Sequence, residues 1–240
     1  MKIEVLADAD AVAQAAAAFI TRAARAAVAA RGRFLIALSG GRTPWAMLRL
    51  LARADLPWPG VELFQVDERA APAGDAERNL THLRDSLLQH VPLNPAQVHA
   101  MPVELADLEA GAARYAATLR AVAGSPPVLD LVHLGLGPDG HTASLVPADP
   151  VLEIDDAEVG ATATYQGRRR MTLTYPVLNR ARRVLWVVAG ADKAAMLARL
   201  RVHDPSIPAG RVRRDNALAL VDRAAAGAGA LKAPGIAYGP

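Results

Sequence analysis

The sequence has 240 residues, of which 52% are hydrophobic and 21% are charged, so it can bury a large core and does not have the composition of a disordered chain. Its 27 basic and 24 acidic residues give a net charge of +3, which is a weak signal for a polyanionic partner. The absence of cysteine excludes disulfide bonds, thiolate metal sites and cysteine nucleophiles, and it fits a reducing compartment.

No targeting or membrane-spanning segment is predicted. The first ten residues, MKIEVLADAD, lack an apolar stretch of signal-peptide length. The longest alanine-rich tract, residues 12–30, is interrupted by Gln14, Arg22 and Arg25, so it does not fit a membrane span. We therefore expect a soluble, cytoplasmic protein that binds neither membranes nor nucleic acids.

Short apolar runs alternate with helical patterns along the chain, which predicts an α/β fold. Thr43 and Pro44 fit the N-cap and first position of one helix. Strands are predicted over residues 33–38, 61–66, 97–101, 129–134, 159–165, 171–174, 184–188 and 217–221. Helices are predicted over residues 8–30, 43–54, 79–90, 104–123 and 192–202. This alternation is typical of a three-layer, Rossmann-like domain with a mostly parallel central sheet and helices on both faces.

No break in composition and no internal repeat marks a second domain. We expect one domain over residues 1–226, followed by a flexible tail over residues 227–240 that is rich in Gly, Pro and Ala. In parallel sheets the ligand lies beyond the carboxyl ends of the strands, so functional residues are expected there.

The first of four informative strand ends carries the loop SGGRTP, residues 39–44. Gly40 and Gly41 let the backbone approach a ligand closely, and the N-terminus of the following helix favours an anion. The loop lacks the Lys-Ser/Thr of a Walker A motif, and Ala37 stands where a serine-hydrolase elbow needs glycine. The pattern fits either an anion-binding loop or an ordinary tight turn.

At the second strand end, Asp67, Glu68 and Arg69 directly follow a buried strand. Three charged residues at the end of a buried strand indicate either a solvated turn or side chains that enter a cleft. In a cleft, a carboxylate would handle a proton or a hydroxyl group, and the guanidinium would bind a phosphate or carboxylate.

The third strand end is the segment GLGPDGHT, residues 135–142. It formally matches G-x-G-x-x-G, but Pro138 stiffens the turn and Pro147 would end any helix, so a dinucleotide site is not favoured. Asp139 and His141 instead place a carboxylate two residues from an imidazole, which can orient a histidine as a general base. Alternatively, His141 only caps a short helix that begins directly after it.

The remaining histidines fit structural or surface positions. His133 lies inside an apolar strand and is most simply a core histidine. Neither H-x-E nor H-E-x-x-H occurs, so the sequence predicts no metal site. The other four histidines lie on the flanks of predicted elements: His82, His90, His99 and His203.

At the fourth strand end stands Lys193, one of only three lysines in the chain. It fits either a phosphate contact or a surface lysine in a first helical turn. Arg168, Arg169 and Arg170, just before the MTLT strand, supply either further anion contacts or only a basic loop. Together the four strand ends predict anion-binding loops around a base, and thus a small phosphorylated substrate.

In this order, the segments resemble the 6-phosphogluconolactonase family, which shares its fold with the glucosamine-6-phosphate isomerases. The resemblance spans roughly residues 5–225. Two positions depart from the family pattern: Glu77-Arg78-Asn79 replaces a frequent Asp-Ser-Asn, and Val146 replaces a frequent Phe. The matching segments are LSGGRTPWAML, VDERAAP followed by Asn79, HLGLGPDGHTASLVP, RMTLTYPVLN, VVAGADKAAML and IPAGRV.

The resemblance implies hydrolysis of 6-phospho-D-glucono-1,5-lactone to 6-phosphogluconate in the oxidative pentose phosphate pathway, without a cofactor or metal. It implies a monomer or small homo-oligomer whose partner is the phosphorylated sugar lactone. His141 would be the base, Asp139 would hold the imidazole or the water, and Asp67 would line the same cleft. The implied substrate and phosphate contacts are Gly40, Gly41, Arg42, Thr43, Arg69, Arg170 and Lys193.

Three other functions fit parts of the pattern. In the related deaminases the histidine motif continues into Phe-Asn-Glu-Pro, but residues 143–147 are ASLVP, without that carboxylate. A sugar-phosphate sensor would need a DNA-binding module, and no helix-turn-helix pattern precedes the first strand. A serine esterase would need the missing elbow glycine.

Overall fold

The computed structural model describes residues 1–230 and 236–238. Its centre is an eight-stranded sheet in which every strand pairing is parallel. The strands are β1 (Lys2–Leu6), β2 (Phe34–Leu38), β3 (Val61–Gln65), β4 (Asp67–Arg69), β5 (Val98–His99), β6 (Leu131–Leu134), β7 (Val159–Ala161), β8 (Arg170–Leu173), β9 (Val184–Val188), β10 (Ala217–Asp222) and β11 (Ile236–Tyr238). The α-helices are α1 (Ala9–Arg31), α2 (Arg42–Leu51), α3 (Asn79–Ser86), α4 (Leu108–Ala123), α5 (Tyr175–Arg180), α6 (Ala194–Arg201) and α7 (Arg223–Ala230).

The order of the strands positions the predicted site. It runs β11-β1-β10-β9-β6-β2-β3-β5. From β2 the chain builds outward through β3 to β5, then returns to the other side of β2 with β6 and β9. The order therefore reverses between β2 and β6, and ligands of open α/β sheets bind at such a reversal. The four strands with informative ends, β9, β6, β2 and β3, are consecutive neighbours.

Helices cover both faces of the sheet, which confirms the predicted three-layer fold. Strand β2 shows the reason: Phe34, Ile36 and Leu38 pack in the layer that contains α1, α2 and α3, whereas Leu35 and Ala37 pack in the opposite layer, which contains α4, α5 and α6. Because both faces of the strand are buried, its sequence is a continuous apolar run without polar alternation.

A second, three-stranded antiparallel sheet, in the order β4-β8-β7, lies beside the central sheet. The sequence does not predict this sheet, because the charged segment 67–69 has no apolar pattern and becomes strand β4 only through its backbone pairing with β8. That pairing places Arg69 directly opposite Arg170. The sheet therefore brings two guanidinium groups from distant parts of the sequence to one place.

Most predicted elements are present with shifted ends. Helix α1 begins after Asp8, whose carboxylate accepts the N–H of Ala11 at 2.9 Å. The prediction that Thr43 is an N-cap is wrong: α2 begins at Arg42, because Gly41, at φ 130°, turns the chain and its carbonyl accepts the first helical N–H from Trp45. Helix α4 begins later than predicted, because Asp107 caps it.

The shortest elements are the ones that sequence patterns miss. The predicted helix over residues 79–90 ends at Ser86 and is followed by a 3-10 turn over Leu88–His90. The predicted strand over residues 97–101 shrinks to β5. Strands β1 and β11 and helix α5 lie outside every predicted element.

Regular structure continues past the predicted domain end at residue 226. Helix α7 extends to Ala230 across a kink at Gly227, whose φ of 70° and ψ of 160° are not helical, and β11 adds a parallel edge strand to β1. The rest of the predicted flexible tail, residues 231–235 and 239–240, lies outside the described residues, and the division into one domain and a tail stays a prediction. Within the described ranges, no helix has the length and apolar character needed to cross a membrane.

Candidate active site

The four predicted strand ends meet in one cleft of about 210 Å³ at the carboxyl edge of the central sheet. The first contributes Gly40 and Gly41, the third contributes the turn with His141, and the fourth contributes Lys193. The full lining is Ser39, Gly40, Gly41, Asp67, Arg69, Asn79, Gly135, Leu136, Gly137, Pro138, His141, Ala143, Arg170 and Lys193. The structure therefore brings residues from all four strand ends together in one cleft.

Asp139 orients the imidazole of His141. Its Oδ1 accepts hydrogen bonds from His141 Nδ1, at 2.6 Å, and from the backbone N–H of His141, at 3.1 Å. Tyr165 donates from its hydroxyl group to Oδ2 of the same carboxylate at 2.9 Å. Burial opposes ionisation of Asp139, but the hydrogen bonds and charge of His141 and the hydrogen bond of Tyr165 outweigh burial and lower its pKa. The carboxylate is therefore ionised at neutral pH, and with Nδ1 engaged, Nε2 is the ring nitrogen left for a water or substrate.

The turn that holds this pair depends on glycine. A Cβ on Gly137 would lie 2.1 Å from His141 Nδ1 and 2.6 Å from Asp139 Oδ1, so only glycine leaves room for both side chains. The N–H of Gly137 also donates to the carbonyl of His141 at 2.8 Å, which closes the turn. The alternative of a helix cap is wrong, because the residues after His141 form a tight turn with a bridge between Thr142 and Leu145 instead of a helix.

Asp67 is buried and held from two sides. Ser144 donates from its hydroxyl group to Oδ2 at 2.6 Å, and Asn79 donates from Nδ2 to the Asp67 carbonyl at 3.0 Å and to Oδ1 at 3.3 Å. Asn79 packs so closely on Gly40 that a Cβ there would lie 2.0 Å from its Oδ1. The carboxylate of Asp67 therefore has a fixed position in the wall of the cleft.

Arg69 and Arg170 form a cationic pair in the cleft. Neither makes an ion pair within 4.0 Å with a carboxylate of the described residues, and the Nε of each is buried without a hydrogen-bond partner there. Burial, and secondly the neighbouring charge of Arg69, lower the pKa of Arg170. Two guanidinium groups that repel each other and keep unused donors are suited to an anionic ligand.

The three consecutive arginines separate clearly in the structure. Only Arg170 lines the cleft. Arg168 forms ion pairs with Asp75, at 3.2 Å, and with Glu77, while Arg169 pairs with Glu109 outside the cleft.

Arg42 and Thr43 lie beside the cleft and not in its lining. They border an adjoining hollow that shares Gly40, Gly41 and Lys193 with the cleft. Lys193 makes a surface ion pair with Asp192 at 2.9 Å, in which Asp192 is largely exposed. A ligand spanning both hollows would therefore meet all the predicted anion contacts.

His133 is fully buried, as predicted for a core histidine. Its Nδ1 accepts the N–H of Ser39 at 3.2 Å, so it supports the glycine loop from inside the sheet. Burial lowers its pKa to about 4, which keeps it neutral. Among the residues that the structure describes, no cluster of three or more His, Asp or Glu side chains is arranged to hold a metal ion.

Three residues of the site are not singled out by their sequence pattern. Asn79 and Ser144 are visible only as parts of longer motifs, and Tyr165 lies outside every motif. Each acts on Asp67 or Asp139 from an element distant in sequence. Only the fold brings them to these carboxylates.

Comparison with known proteins gives a consistent result. The family model for glucosamine-6-phosphate isomerases/6-phosphogluconolactonase matches residues 7–220. A 6-phosphogluconolactonase of Mycobacterium tuberculosis is 41% identical over 244 residues, covering 93% of this chain and 96% of the relative. One of Synechocystis is 37% identical over 203 residues, covering 83% and 84%.

A solved structure of 6-phosphogluconolactonase from Thermotoga maritima superposes with a TM-score of 0.82 at 25% identity, covering 92% of this chain and 99% of that one. Fold and sequence therefore agree along nearly the whole chain. The chain belongs to the glucosamine-6-phosphate isomerase/6-phosphogluconolactonase family.

Proposed function

We propose that this chain hydrolyses 6-phospho-D-glucono-1,5-lactone to 6-phosphogluconate, a step of the oxidative pentose phosphate pathway. One observation carries the proposal: a histidine oriented by a carboxylate, His141 with Asp139, shares a cleft with two guanidinium groups, those of Arg69 and Arg170, that make no ion pair among the described residues. The histidine–carboxylate pair can transfer protons, and the two guanidinium groups can bind an anion. Hydrolysis of a phosphorylated ester requires both. The relatives named above carry the same enzyme name.

His141 acts as the general base on the attacking water. Its Nε2 takes one proton as the water oxygen bonds to C1 of the lactone, and Asp139 stabilises the imidazolium that forms. When the bond between C1 and the ring oxygen breaks, the same proton passes from Nε2 to that oxygen, which becomes the C5 hydroxyl group. The new carboxylic acid then loses the second proton of the water to solvent, which gives 6-phosphogluconate. Because a lactone is an activated ester, a base that contributes about 10²–10⁴-fold, together with positioning, is sufficient.

The phosphate is bound by the cations and by the glycine loop. Positive charge comes from Arg69, Arg170 and Lys193. The ten-residue helix α2 begins at the Gly41 side of the cleft, and the free N–H groups of its first turn face the phosphate. Arg42 and Thr43 extend this surface into the adjoining hollow.

A deaminase would need a further acid to open a sugar ring. The only carboxylate among the lining residues of the cleft is Asp67, and both of its oxygens accept hydrogen bonds from Ser144 and Asn79. The nearest carboxylate after His141, Asp149, accepts instead from the backbone N–H groups of Val151 and Ala163. The geometry therefore favours the lactonase within this two-activity family.

The proposal includes the setting of the enzyme. It acts in the cytoplasm, as a monomer or small homo-oligomer, on a free phosphorylated sugar lactone and without nucleic acid. Sedimentation at micromolar concentration tests the assembly, and cell fractionation tests the location.

A coupled assay tests the activity. Glucose-6-phosphate dehydrogenase generates the lactone, and 6-phosphogluconate dehydrogenase reports the product as it forms. We expect this chain to accelerate product formation well above spontaneous hydrolysis, and to release no ammonia from glucosamine 6-phosphate. Ammonia release, or a rate equal to the spontaneous one, would contradict the proposal.

A further inference from the structure

The hairpin between β7 and β8 carries one side chain, Tyr165, to the candidate dyad. Tyr165 and Arg168 close its tip with two backbone hydrogen bonds, of 2.9 and 3.3 Å. The two residues between them, Gln166 at φ 52° and Gly167 at φ 81°, have the positive φ values of a tight two-residue hairpin turn. Arg168 also binds the tip to the β4–α3 loop by its ion pairs with acidic residues. The hairpin turn and the ion pairs of Arg168 therefore hold the backbone of Tyr165 in place.

The hydroxyl group of Tyr165 completes the coordination of Asp139. His141 occupies one oxygen of the carboxylate, and Tyr165 donates to the other at 2.9 Å. Burial, and secondly the hydrogen bond to Asp139, raise the pKa of Tyr165, so its phenol is the proton donor at neutral pH. Without this donor the side chain of Asp139, which is about one-third exposed at 34%, would be held only at Oδ1, by the two hydrogen bonds from His141.

The ring of Tyr165 contacts two more residues of the site. It meets the ring of His141 edge-on, with 5.7 Å between centroids, and the guanidinium carbon of Arg170 lies 4.9 Å from its centroid. One tyrosine therefore touches Asp139, His141 and Arg170. Tyr165 itself is not among the residues that line the cleft. Any effect on the reaction must pass through these three neighbours.

We infer that Tyr165 is a positioning residue for the proposed lactonase: its hydroxyl group fixes the Asp139–His141 pair and its ring fixes Arg170. This inference rests on the proposed function for its kinetic effect, but the geometry that it describes is independent of the substrate. The hydroxyl group serves the proton-transfer step, and the ring serves the binding of the anion. The two parts of the side chain therefore have separable consequences.

Two substitutions separate the effect of the hydroxyl group of Tyr165 from the effect of its ring. Tyr165→Phe removes the hydrogen bond and keeps the ring, so we expect kcat to fall roughly 10-fold while KM stays within about twofold. Tyr165→Leu also removes the ring from Arg170, so we expect KM to rise in addition. A folded Tyr165→Phe enzyme with wild-type kcat, or one that changes only KM, would overturn the inference.

A matched control exists in the same chain. Tyr175 also donates from its hydroxyl group, to the carbonyl of Pro208 at 2.9 Å, and its ring also packs against an arginine, Arg211, at 4.6 Å. Tyr175→Phe should lower the melting temperature and leave kcat and KM unchanged. If both phenylalanine variants changed kcat equally, the effect of Tyr165 would be only general stability, contrary to the inference.

A double-mutant cycle tests whether Tyr165 acts through Asp139. In an Asp139→Ala background, Tyr165→Phe should cause no further loss of kcat. A full further 10-fold loss would show that the two residues act independently, and would overturn the inference.

A measurement without substrate separates this inference from the proposed function. The NMR signal of the proton on His141 Nδ1 is assigned as the signal that is missing in His141→Gln. This proton should exchange with water faster in Tyr165→Phe than in the wild type or in Tyr175→Phe. If the wild type lacked lactonase activity but this difference appeared, the proposed function would fail and the positioning role would stand. Equal exchange in all three proteins would overturn the positioning role.

Discussion

His133 and His141 lie on the same strand–loop segment, yet their surroundings give them different roles. His133 is enclosed in the sheet, where burial lowers its pKa to about 4 and its one polar contact supports Ser39. His141 is partly exposed in the cleft and is bonded to an ionised carboxylate. A histidine that must cycle a proton needs the second setting, because the imidazolium must be both stabilised and reachable.

The first prediction concerns the base. His141→Gln should lower kcat by at least about 100-fold with little change in KM, because it removes proton transfer but leaves the anion contacts. Steady-state kinetics by the coupled assay, with spontaneous hydrolysis subtracted, measures this. His90→Gln is the control, since His90 bonds the carbonyl of Asp85 at the exposed end of α3. Near wild-type turnover of folded His141→Gln would refute the assignment.

The second prediction concerns the cationic pair. Arg69→Ala and Arg170→Ala should each raise KM roughly 10- to 100-fold, because each removes a charge-assisted hydrogen bond worth about 1.5–3 kcal/mol. Inorganic phosphate should also inhibit these variants less than the wild type. Arg169→Ala is a control of the same residue type in the adjacent position, and it should keep the wild-type KM because Arg169 pairs with Glu109 outside the cleft. Equal KM changes in all three variants would contradict the assignment.

At the scale of elements, one buried carboxylate joins β4 to the start of α3. Glu68 is fully buried and accepts hydrogen bonds from the backbone N–H groups of Arg69, Asn79 and Leu80 at 2.8 Å each. Its Oε2 also lies 3.1 Å from Nε of Arg78, which is equally buried. Glu68 therefore holds the two cleft residues Arg69 and Asn79 in register and neutralises a buried charge.

The third prediction follows from the two partners of Arg78. Glu68→Gln should lower the free energy of unfolding by roughly 3–5 kcal/mol, because it leaves a buried guanidinium with reduced compensation. Glu104→Gln removes the other partner, which is 47% exposed, and should cost less than about 1 kcal/mol. Urea unfolding of both variants measures the difference. Equal losses would show that the exposed Glu104 stabilises the protein as much as the buried Glu68 does, contrary to this prediction.

At the scale of the whole molecule, the sequence predicts the layers and the strand ends that meet in one cleft, but not the second sheet. Buried strands such as β2 are continuous apolar runs, and glycines and charged residues at their ends mark the cleft because parallel strands share one carboxyl edge. The contact between Tyr165 and Asp139 spans 26 positions of the chain, and the pairing of β4 with β8 spans 101 to 105 positions, so no local pattern encodes them. The predicted N-cap of α2, Thr43, is wrong for a related reason. The helix begins at a turn of the backbone at Gly41, and no side chain caps it.

The last prediction concerns the pH dependence of global stability. The pKa of His133 is about 4 in the folded protein and about 6.5 in an unfolded chain, so between these values only the unfolded state binds the proton. The resulting stability is complete above pH 6.5 and is lost as the pH falls toward 4, by about 2 kcal/mol between pH 7 and pH 5. Urea unfolding at both pH values should therefore show a larger loss for the wild type than for His133→Asn, whose amide oxygen can still accept the N–H of Ser39. The same loss in both proteins would mean that carboxylates elsewhere, and not this buried imidazole, cause the acid sensitivity.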